Sequence, residues 1–432
     1  MHLSRFTQTS MTYMMYQYGR KKTNLHQTYS LYHKFFKRNF QISPVHLVRR
    51  VHADSANSNV ENPNQEKIST KRLLDEAVTF DGDEGTHPDD VWHSDPYEKV
   101  RYHKREQGKH FVSPPNIHPK ETSILLFPGQ GTQFVGMGKD LLEYPNVKEM
   151  FEGASQILEY DLLKLCLEGP DRDLEETKYQ QPAILVASLA AVERLRHEQP
   201  LVLESCVATA GFSIGEITAL TFAGAISFEN AVRLVKVRGE AMQIASELTR
   251  SGMITVLFSP DSKLKFACSV AKEYCVKSGV QEVDCRVASY LYPHCKVVAG
   301  NEEALQFIID NKDDFKLKRI RRLNVSGAFH TDLMRPAAFV FKEALQNAHV
   351  SRPLIPVYSN VDGRPYKSAD HIRKQLPKQM YSPVRWEQTL HTLYERSSDK
   401  EFPNTFECGP GSSLKTILKM VNAKAWQKCS SC

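Results

Sequence analysis

Nowhere does the chain approach the ~20 consecutive apolar residues that a membrane-crossing helix requires, so its 432 residues offer no candidate span. The first 53 residues lack aspartate and glutamate altogether, yet they carry Arg5, Arg20, Lys21, Lys22, Lys34, Lys37, Arg38, Arg49 and Arg50 among Ser, Thr, Tyr and Gln. A basic, acid-free, hydroxyl-rich leader is the composition of a mitochondrial transit peptide; the alternative is a basic arm. Its aromatics (Tyr13, Tyr16, Tyr18, Phe35, Phe36) are interrupted by charge, which excludes a secretory apolar core. Without the nine basic residues of 1–53 the formal charge falls from +6 to −3, so bulk charge gives no support to nucleic-acid binding. The nine cysteines are odd in number and scattered, which argues against a disulfide framework. Cys429-Ser-Ser-Cys432 lacks the second pair that a zinc site needs, and 427–432 reads as a frayed tail. Phosphate-binding loops are missing too. Glycines at 129, 131, 136 and 138 do not fit G-x-G-x-x-G, because position 134 is Phe, nor a P-loop, because no Gly-Lys-Ser/Thr follows.

What is present is the composition of a globular protein, 41% apolar and 25% charged. Residues 54–119 are poor in apolar side chains and collect Asp81, Asp83, Glu84, Asp89 and Asp90, the pattern of a disordered linker. From Ser123 onward strands and helices alternate. Ile124 to Phe127 and Val207 to Gly211 read as buried strands, and helical periodicity covers 146–159, 181–196, 214–223 and 227–246. This predicts an α/β fold, a large α/β-hydrolase-like domain on a mainly parallel sheet. Met253 to Phe258, Val283 to Ala288 and Cys295 to Ala299 predict strands of a small inserted ferredoxin-like α+β subdomain. The expected boundaries are 120–249 plus 324–426 for the large domain and 250–323 for the small one, with Leu323 to Ser326 a strand leading back.

Gly211-Phe212-Ser213-Ile214-Gly215 is a G-x-S-x-G pattern between a strand and a helix, where flanking glycines let a serine sit exposed on a sharp turn. Ser213 is the candidate nucleophile; the alternative is a tight turn with a capping serine. A serine hydroxyl needs a neighbouring base, and His330 is the candidate, in the small-residue turn Gly327-Ala328-Phe329-His330 after a predicted strand end. Gln130, in Gly129-Gln130-Gly131, offers an amide or backbone N–H that could meet an oxyanion together with the Ile214 N–H; otherwise the loop is a structural turn. Arg238 lies in an apolar helix, with Met242 four residues on along the same face. Aimed into an acyl pocket, its guanidinium would hold a carboxylate and select a dicarboxylic acyl group. Otherwise it snorkels to solvent or pairs with Glu216 or Glu240. The basic run Lys316, Lys318, Arg319, Arg321 and Arg322 fits either an acidic partner or a solvated face.

FPGQGTQFVGMG (127–138), YQQPAIL (179–185), GFSIGE (211–216), VRLVKVRGEAMQ (232–243), GAFHTDLM (327–334), YSNVDG (358–363), SPVRW (382–386) and FECGPGSSL (406–414) occur in that order. Together they resemble the malonyl-CoA:acyl-carrier-protein transacylase family, the FabD-like acyltransferases, and with the leader its mitochondrial form. The resemblance runs from Ser123 to about Asn422. It implies that Ser213 is acylated by malonyl-CoA, with His330 as base and then acid, and with Gln130 and the Ile214 N–H as oxyanion hole. It implies that Arg238 clamps the malonyl carboxylate while Gln181 and Met242 line the pocket. It also implies a Ser–His dyad whose histidine is oriented by a main-chain carbonyl of Pro383-Val384-Arg385.

The partners so implied are malonyl-CoA and an acidic acyl carrier protein docked by the basic run, in the mitochondrial matrix, within type II fatty acid synthesis. No metal or bound cofactor is expected, and the chain is expected to act as a monomer. Phe212 stands where His often precedes the nucleophile, which predicts altered packing at the elbow. Arg385 stands for a Gln, and Tyr290-Leu-Tyr292 for an Asn-containing segment. The rivals are a serine thioesterase or hydrolase of related fold, and a scaffold that binds carrier protein.

Overall fold

The structure is a computed structural model that describes His118, 121–396 and 401–432. The expected leader and, His118 apart, the expected linker lie outside the described residues. Strands β1 (Ser123–Phe127), β2 (Cys206–Gly211), β7 (Val357–Tyr358), β9 (Asn404–Glu407) and β10 (Cys429–Ser431) form one sheet in the order β10-β9-β1-β2-β7, parallel throughout. Strands β3 (Ser251–Leu257), β4 (Cys285–Tyr292), β5 (Cys295–Asn301), β6 (Arg319–Arg322) and β8 (Val384–Arg385) form a second, in the order β6-β3-β5-β4-β8. Helices longer than seven residues among the described residues are α1 (Val147–Leu158), α2 (Thr177–Glu198), α3 (Ile214–Phe222), α4 (Phe228–Leu248), α5 (Leu264–Lys277), α6 (Glu302–Asp310), α7 (Arg335–Asn347), α8 (Ala369–Gln379), α9 (Trp386–Tyr394) and α10 (Ser413–Val421).

β1 is the central parallel strand and every one of its residues is buried, as a strand covered on both faces must be. One face packs Ile124, Leu126, Ala208 and Ala210 against Trp386 and Leu390 of α9 and Leu414 and Leu418 of α10. α3 packs on β1 and β2, and α2 and α4 pack on each other. Little of α2 between Gln180 and Leu195 reaches solvent, the mark of a helix interior to the fold. α4 begins where the sequence predicts it does: the Ser227 hydroxyl accepts the Asn230 N–H and caps the helix.

In the second sheet β6-β3-β5-β4 are antiparallel neighbours, the β-α-β-β-α-β arrangement expected of a ferredoxin-like unit. Ile254, Val256 and Val298 face α5 and α6. Three elements differ from expectation. Leu323 to Ser326 is not a strand; the strand is the basic segment β6 itself, paired with β3, and the chain leaves the sheet after the Leu323 N–H reaches the Met253 carbonyl. β8, from beyond 323, extends the second sheet as a parallel neighbour of β4. The expected frayed tail instead contains β10, because β9 would otherwise present an open edge to which a strand can add.

Candidate active site

The candidate nucleophile sits where β2 turns into α3. Ser213 has φ 54 and ψ −106, a left-handed backbone uncommon for a side chain other than glycine. Its flanks leave no room for anything larger than glycine. A Cβ on Gly211 would lie 1.8 Å from the Gly215 carbonyl oxygen, and one on Gly215 would lie 2.2 Å from the Phe127 oxygen. Asn360 ties the turn together: its Oδ1 accepts the Ser213 N–H at 2.7 Å, and its Nδ2 donates to the Gly211 carbonyl at 2.8 Å. Phe212, expected to alter the packing of the elbow, stacks edge-on against Trp386 with ring centroids 5.6 Å apart.

The structure brings His330 and Arg238 to Ser213. His330 Nε2 lies 3.0 Å from Ser213 Oγ, and its Nδ1–H donates to the Gln379 carbonyl at 2.6 Å. That bond fixes the tautomer that leaves Nε2 free to accept the serine proton. The orienting carbonyl is therefore that of Gln379 and not one of the Pro383-Val384-Arg385 loop, two of whose residues form β8. It belongs to the last residue of α8, where a helix leaves carbonyls unused. His330 is itself at φ 62, its N–H held by the Met380 carbonyl at 3.1 Å. It is 3% exposed, and burial first, then the Arg238 charge, push its pKa down to about 4. The imidazole is neutral at physiological pH.

Arg238 is 1% exposed, so it does not snorkel. Its Nη1 donates to Gln181 Oε1 at 2.6 Å, and its Nη2 to Gln379 Oε1 at 2.8 Å and to Ser213 Oγ at 3.2 Å. All three acceptors are neutral. Hydrogen bonds join Glu216 to it only through Gln379, whose Nε2 donates at 2.7 Å both to Glu216 Oε2 and to the Ser213 carbonyl, although the Glu216 charge also acts on the guanidinium directly. Glu216 also accepts from the Tyr366 hydroxyl and from the Asn360 N–H at 3.2 Å. Burial pushes its pKa up to about 7 against those three donors.

Gln181 and Met242 stand together, Gln181 Nε2 lying 3.4 Å from Met242 Sδ and 3.4 Å from Gln130 Oε1. Gln130 Nε2 donates to Thr177 Oγ1 at 3.2 Å, so its side chain joins the same polar set. The Gly129 turn abuts the elbow; a Cβ there would come 2.7 Å from the Phe212 oxygen. The amides of Phe212, Ser213, Gly215 and Glu216 all have acceptors, whereas the Ile214 N–H, first in α3, has none among the described residues. Tyr290 and Tyr292 lie on β4 of the second sheet. Lys296 sits over the Tyr290 ring, and Tyr292 lines a cleft of about 250 Å³ with Thr255, Leu257, Arg319, Arg321 and Leu323.

Gln379, Asn360 and Tyr366 were given no part by the sequence, and Glu216 only that of an alternative ion-pair partner for Arg238. Asn360 and Glu216 stand inside motifs whose other residues drew the attention, GFSIGE and YSNVDG, so position within a motif was the available signal. Gln379 and Tyr366 had none, since the bonds that reveal them span 141 to 166 residues of chain.

A family model described as an acyl transferase domain matches residues 124–402. Over 313 residues the chain is 55% identical to the probable mitochondrial malonyl-CoA-acyl carrier protein transacylase of Drosophila melanogaster, covering 72% of this chain and 83% of that protein. It is 52% identical over 312 residues to the mitochondrial malonyl-CoA-acyl carrier protein transacylase of Homo sapiens, covering 72% and 80%. Its fold matches a malonyl-transacylase solved in complex with its type II polyketide-synthase acyl-carrier protein, with a TM-score of 0.63, 32% identity, and 72% and 94% of the two chains covered. The match to an acyl transferase domain, together with a serine–histidine pair at the end of a parallel sheet joined to a mainly antiparallel one, places the protein among the acyltransferases. The chain belongs to the malonyl-CoA:acyl-carrier-protein transacylase family, in its mitochondrial form.

Proposed function

We infer that the protein transfers malonyl from malonyl-CoA to the phosphopantetheine thiol of acyl carrier protein through a malonyl ester on Ser213, in mitochondrial type II fatty acid synthesis. The observation that carries this is the sharing of Ser213 Oγ between a neutral base, His330, and a buried guanidinium, Arg238, whose other partners are uncharged. A malonyl ester puts a carboxylate one methylene away from its carbonyl carbon, within reach of a guanidinium already beside Oγ. An ion pair there replaces neutral acceptors with a charged one, which is roughly twice as strong.

In the first half-reaction Ser213 Oγ attacks the thioester carbonyl carbon and His330 Nε2 takes its proton. The oxyanion is met by the Ile214 N–H and the Gln130 loop. The C–S bond breaks, and the CoA sulfur leaves with the proton from His330. In the second, the carrier's thiol gives its proton to His330 and attacks the ester, releasing Ser213 as the alkoxide that His330 reprotonates. While His330 carries a proton, the Gln379 carbonyl stabilises the imidazolium, the work an acid does in a triad. The thioester supplies an activated acyl group, so the scheme requires no metal or prosthetic group.

The protein is mitochondrial by family, and the basic leader supports the matrix as its compartment. Arg319 and Arg321, on the open face of β6, support docking of an acidic carrier there. The test is intact mass after mixing with malonyl-CoA alone, for wild type, Ser213→Ala and Arg238→Ala, followed by a chase with holo acyl carrier protein. The expected result is a malonyl adduct missing in Ser213→Ala, weakened in Arg238→Ala and cleared by the carrier. Steady release of free malonate without an adduct would instead make the protein a hydrolase.

A further inference from the structure

Two cysteines meet at the edge of the parallel sheet. β10 runs parallel to β9 with Cys429, Ser430 and Ser431 opposite Thr405, Phe406 and Glu407, so Cys432 falls opposite Cys408. The ladder continues to that point, the Cys432 N–H donating to the Glu407 carbonyl at 2.9 Å. Side chains opposite one another in a parallel pair project to the same side of the sheet, and adjacent strands lie about 4.8 Å apart. That spacing falls inside the Cα window of roughly 4.4–6.8 Å that a disulfide spans, toward its short end. Cys429, three residues before Cys432, projects to the other side.

Both thiols are free. Cys408 is wholly buried, and Cys432 is partly exposed. The Cys408 thiol donates to the Phe406 carbonyl at 4.0 Å. The interaction of the two neighbouring thiols draws Cys432 below the usual thiol range, helped by Arg194 and opposed by burial, and raises Cys408. The exposed partner is thus the more reactive, since the thiolate is the attacking form.

Cys408 is also coupled to the active-site loop. Its N–H donates to Leu126 of β1 at 2.9 Å, two residues before Pro128. The next residue, Gly409, sits at φ 142, where a Cβ would come 2.4 Å from Ser188 Oγ and 2.7 Å from Pro128 Cγ. The turn after Cys408 therefore lies close against Pro128, two residues before Gln130, with no room for a side chain between them.

We propose that Cys408 and Cys432 form a reversible intrachain disulfide when a small disulfide such as oxidised glutathione is present, and that the bond slows acyl transfer by shifting the Gly409 turn against the Gln130 loop. Cys432 attacks one sulfur of the oxidant, giving a mixed disulfide and one reduced thiol. Cys408 loses its proton and attacks the Cys432 sulfur, releasing the second reduced thiol. Two protein thiols are oxidised and one small disulfide is reduced to two thiols. The short cross-strand spacing makes the bond one that a reducing thiol opens again.

The test uses the full chain, fully reduced, then incubated with oxidised glutathione at about pH 8, where thiolates are populated. After alkylation of remaining thiols and tryptic digestion without reductant, the peptide 401–415, with Cys408 as its one cysteine, should be joined to 429–432. That link should persist in Cys429→Ser and be absent in Cys432→Ser and Cys408→Ala. Malonyl transfer to carrier should fall roughly tenfold on oxidation, a fraction of what a 1 Å misplacement of a catalytic group costs, and should recover with dithiothreitol. Cys432→Ser should keep its rate under the oxidant. No link, or a link that needs Cys429, overturns the proposal, and so does a link that leaves the rate unchanged. The peptide map requires no activity, so it stands or falls apart from the function proposed above.

Discussion

His330 decides the pH behaviour of the site. Its lowered pKa has two causes, burial and then Arg238, which the carbonyls of Gln379 and Ser382 oppose. The base works when neutral, so activity is lost as pH falls through the folded value of about 4, not near the ordinary ~6.5. The acid limb of kcat/KM for malonyl-CoA should lie below about pH 5, a range set by that depressed value. Arg238→Ala removes one cause and should move the limb upward; a wild-type limb at the ordinary histidine value would refute the assignment. Stability follows the same sign, because between about 4 and 6.5 the unfolded chain binds the proton that folded His330 refuses. Folding is thus weakened as pH drops across that window. Glu216 acts oppositely. Its pKa is raised to about 7, so the stability it contributes is present at low pH and fades as pH rises toward and through that value. Arg238→Ala should also cost malonyl-CoA about 10- to 150-fold in kcat/KM, the loss of one charge-assisted hydrogen bond of about 1.5–3 kcal/mol, while acetyl-CoA should lose little. Equal losses for both would mean that the guanidinium serves the serine rather than the acyl carboxylate.

The strand–turn–helix that carries Ser213 is held by close backbone contacts, so its glycines are steric requirements. Gly215→Ala would drive a methyl into the Phe127 carbonyl and is expected to abolish the folded elbow, measured as loss of both the malonyl adduct and the thermal transition. Gly153→Ala in α1 is the contrast, since nothing lies within 4 Å of its added Cβ. It should raise stability by about 0.5–1 kcal/mol through helix propensity. Beneath the elbow, Glu216→Ala would leave the Asn360 N–H and Tyr366 hydroxyl without their acceptor at a cost of about 1–3 kcal/mol. Glu216→Gln can serve both groups if Tyr366 turns to accept, so it should melt closer to wild type. What was legible in the sequence follows from the same distinction. Glycine spacing and apolar runs are local signals, and they located β1, β2, α3, α4 and the turn that carries Ser213. Periodicity alone left Arg238 as readily a snorkelling or ion-paired residue, and it was the ordered family motifs that gave His330 and Arg238 their parts. The carbonyl behind His330 was misplaced because a main-chain oxygen carries no side-chain signature, and nothing local marks the end of α8. The pairing of β10 with β9, likewise, depends on an open edge that exists only once the sheet is assembled.

At the scale of the whole molecule, the chemistry belongs to the parallel sheet, and the docking of a carrier is what we propose for the second. The parallel sheet ends in the elbow. The second sheet turns α5 and α6 to one face and presents Arg319 and Arg321, with Thr255, Leu257 and Tyr292, on the other. The five basic residues of this stretch are not equivalent. Arg322 is paired with Glu302 at 2.7 Å, and Lys316 lies 3.8 Å from Asp261, whereas Arg319 and Arg321 line the open cleft. Charge on an exposed edge strand also keeps it from pairing with other chains. Charge reversal at Arg319 and Arg321 separates the two roles. If the face receives an acidic carrier, the double Glu variant should raise KM for carrier protein by about tenfold or more through lost electrostatic steering. Its rate should also lose most of its salt dependence, because screening acts on the exposed charges just removed. Malonylation of Ser213 by malonyl-CoA, followed by intact mass without carrier, should be far less affected. A variant that aggregates but keeps the carrier's KM would assign the arginines to edge protection, and the carrier would have to approach Ser213 by another face.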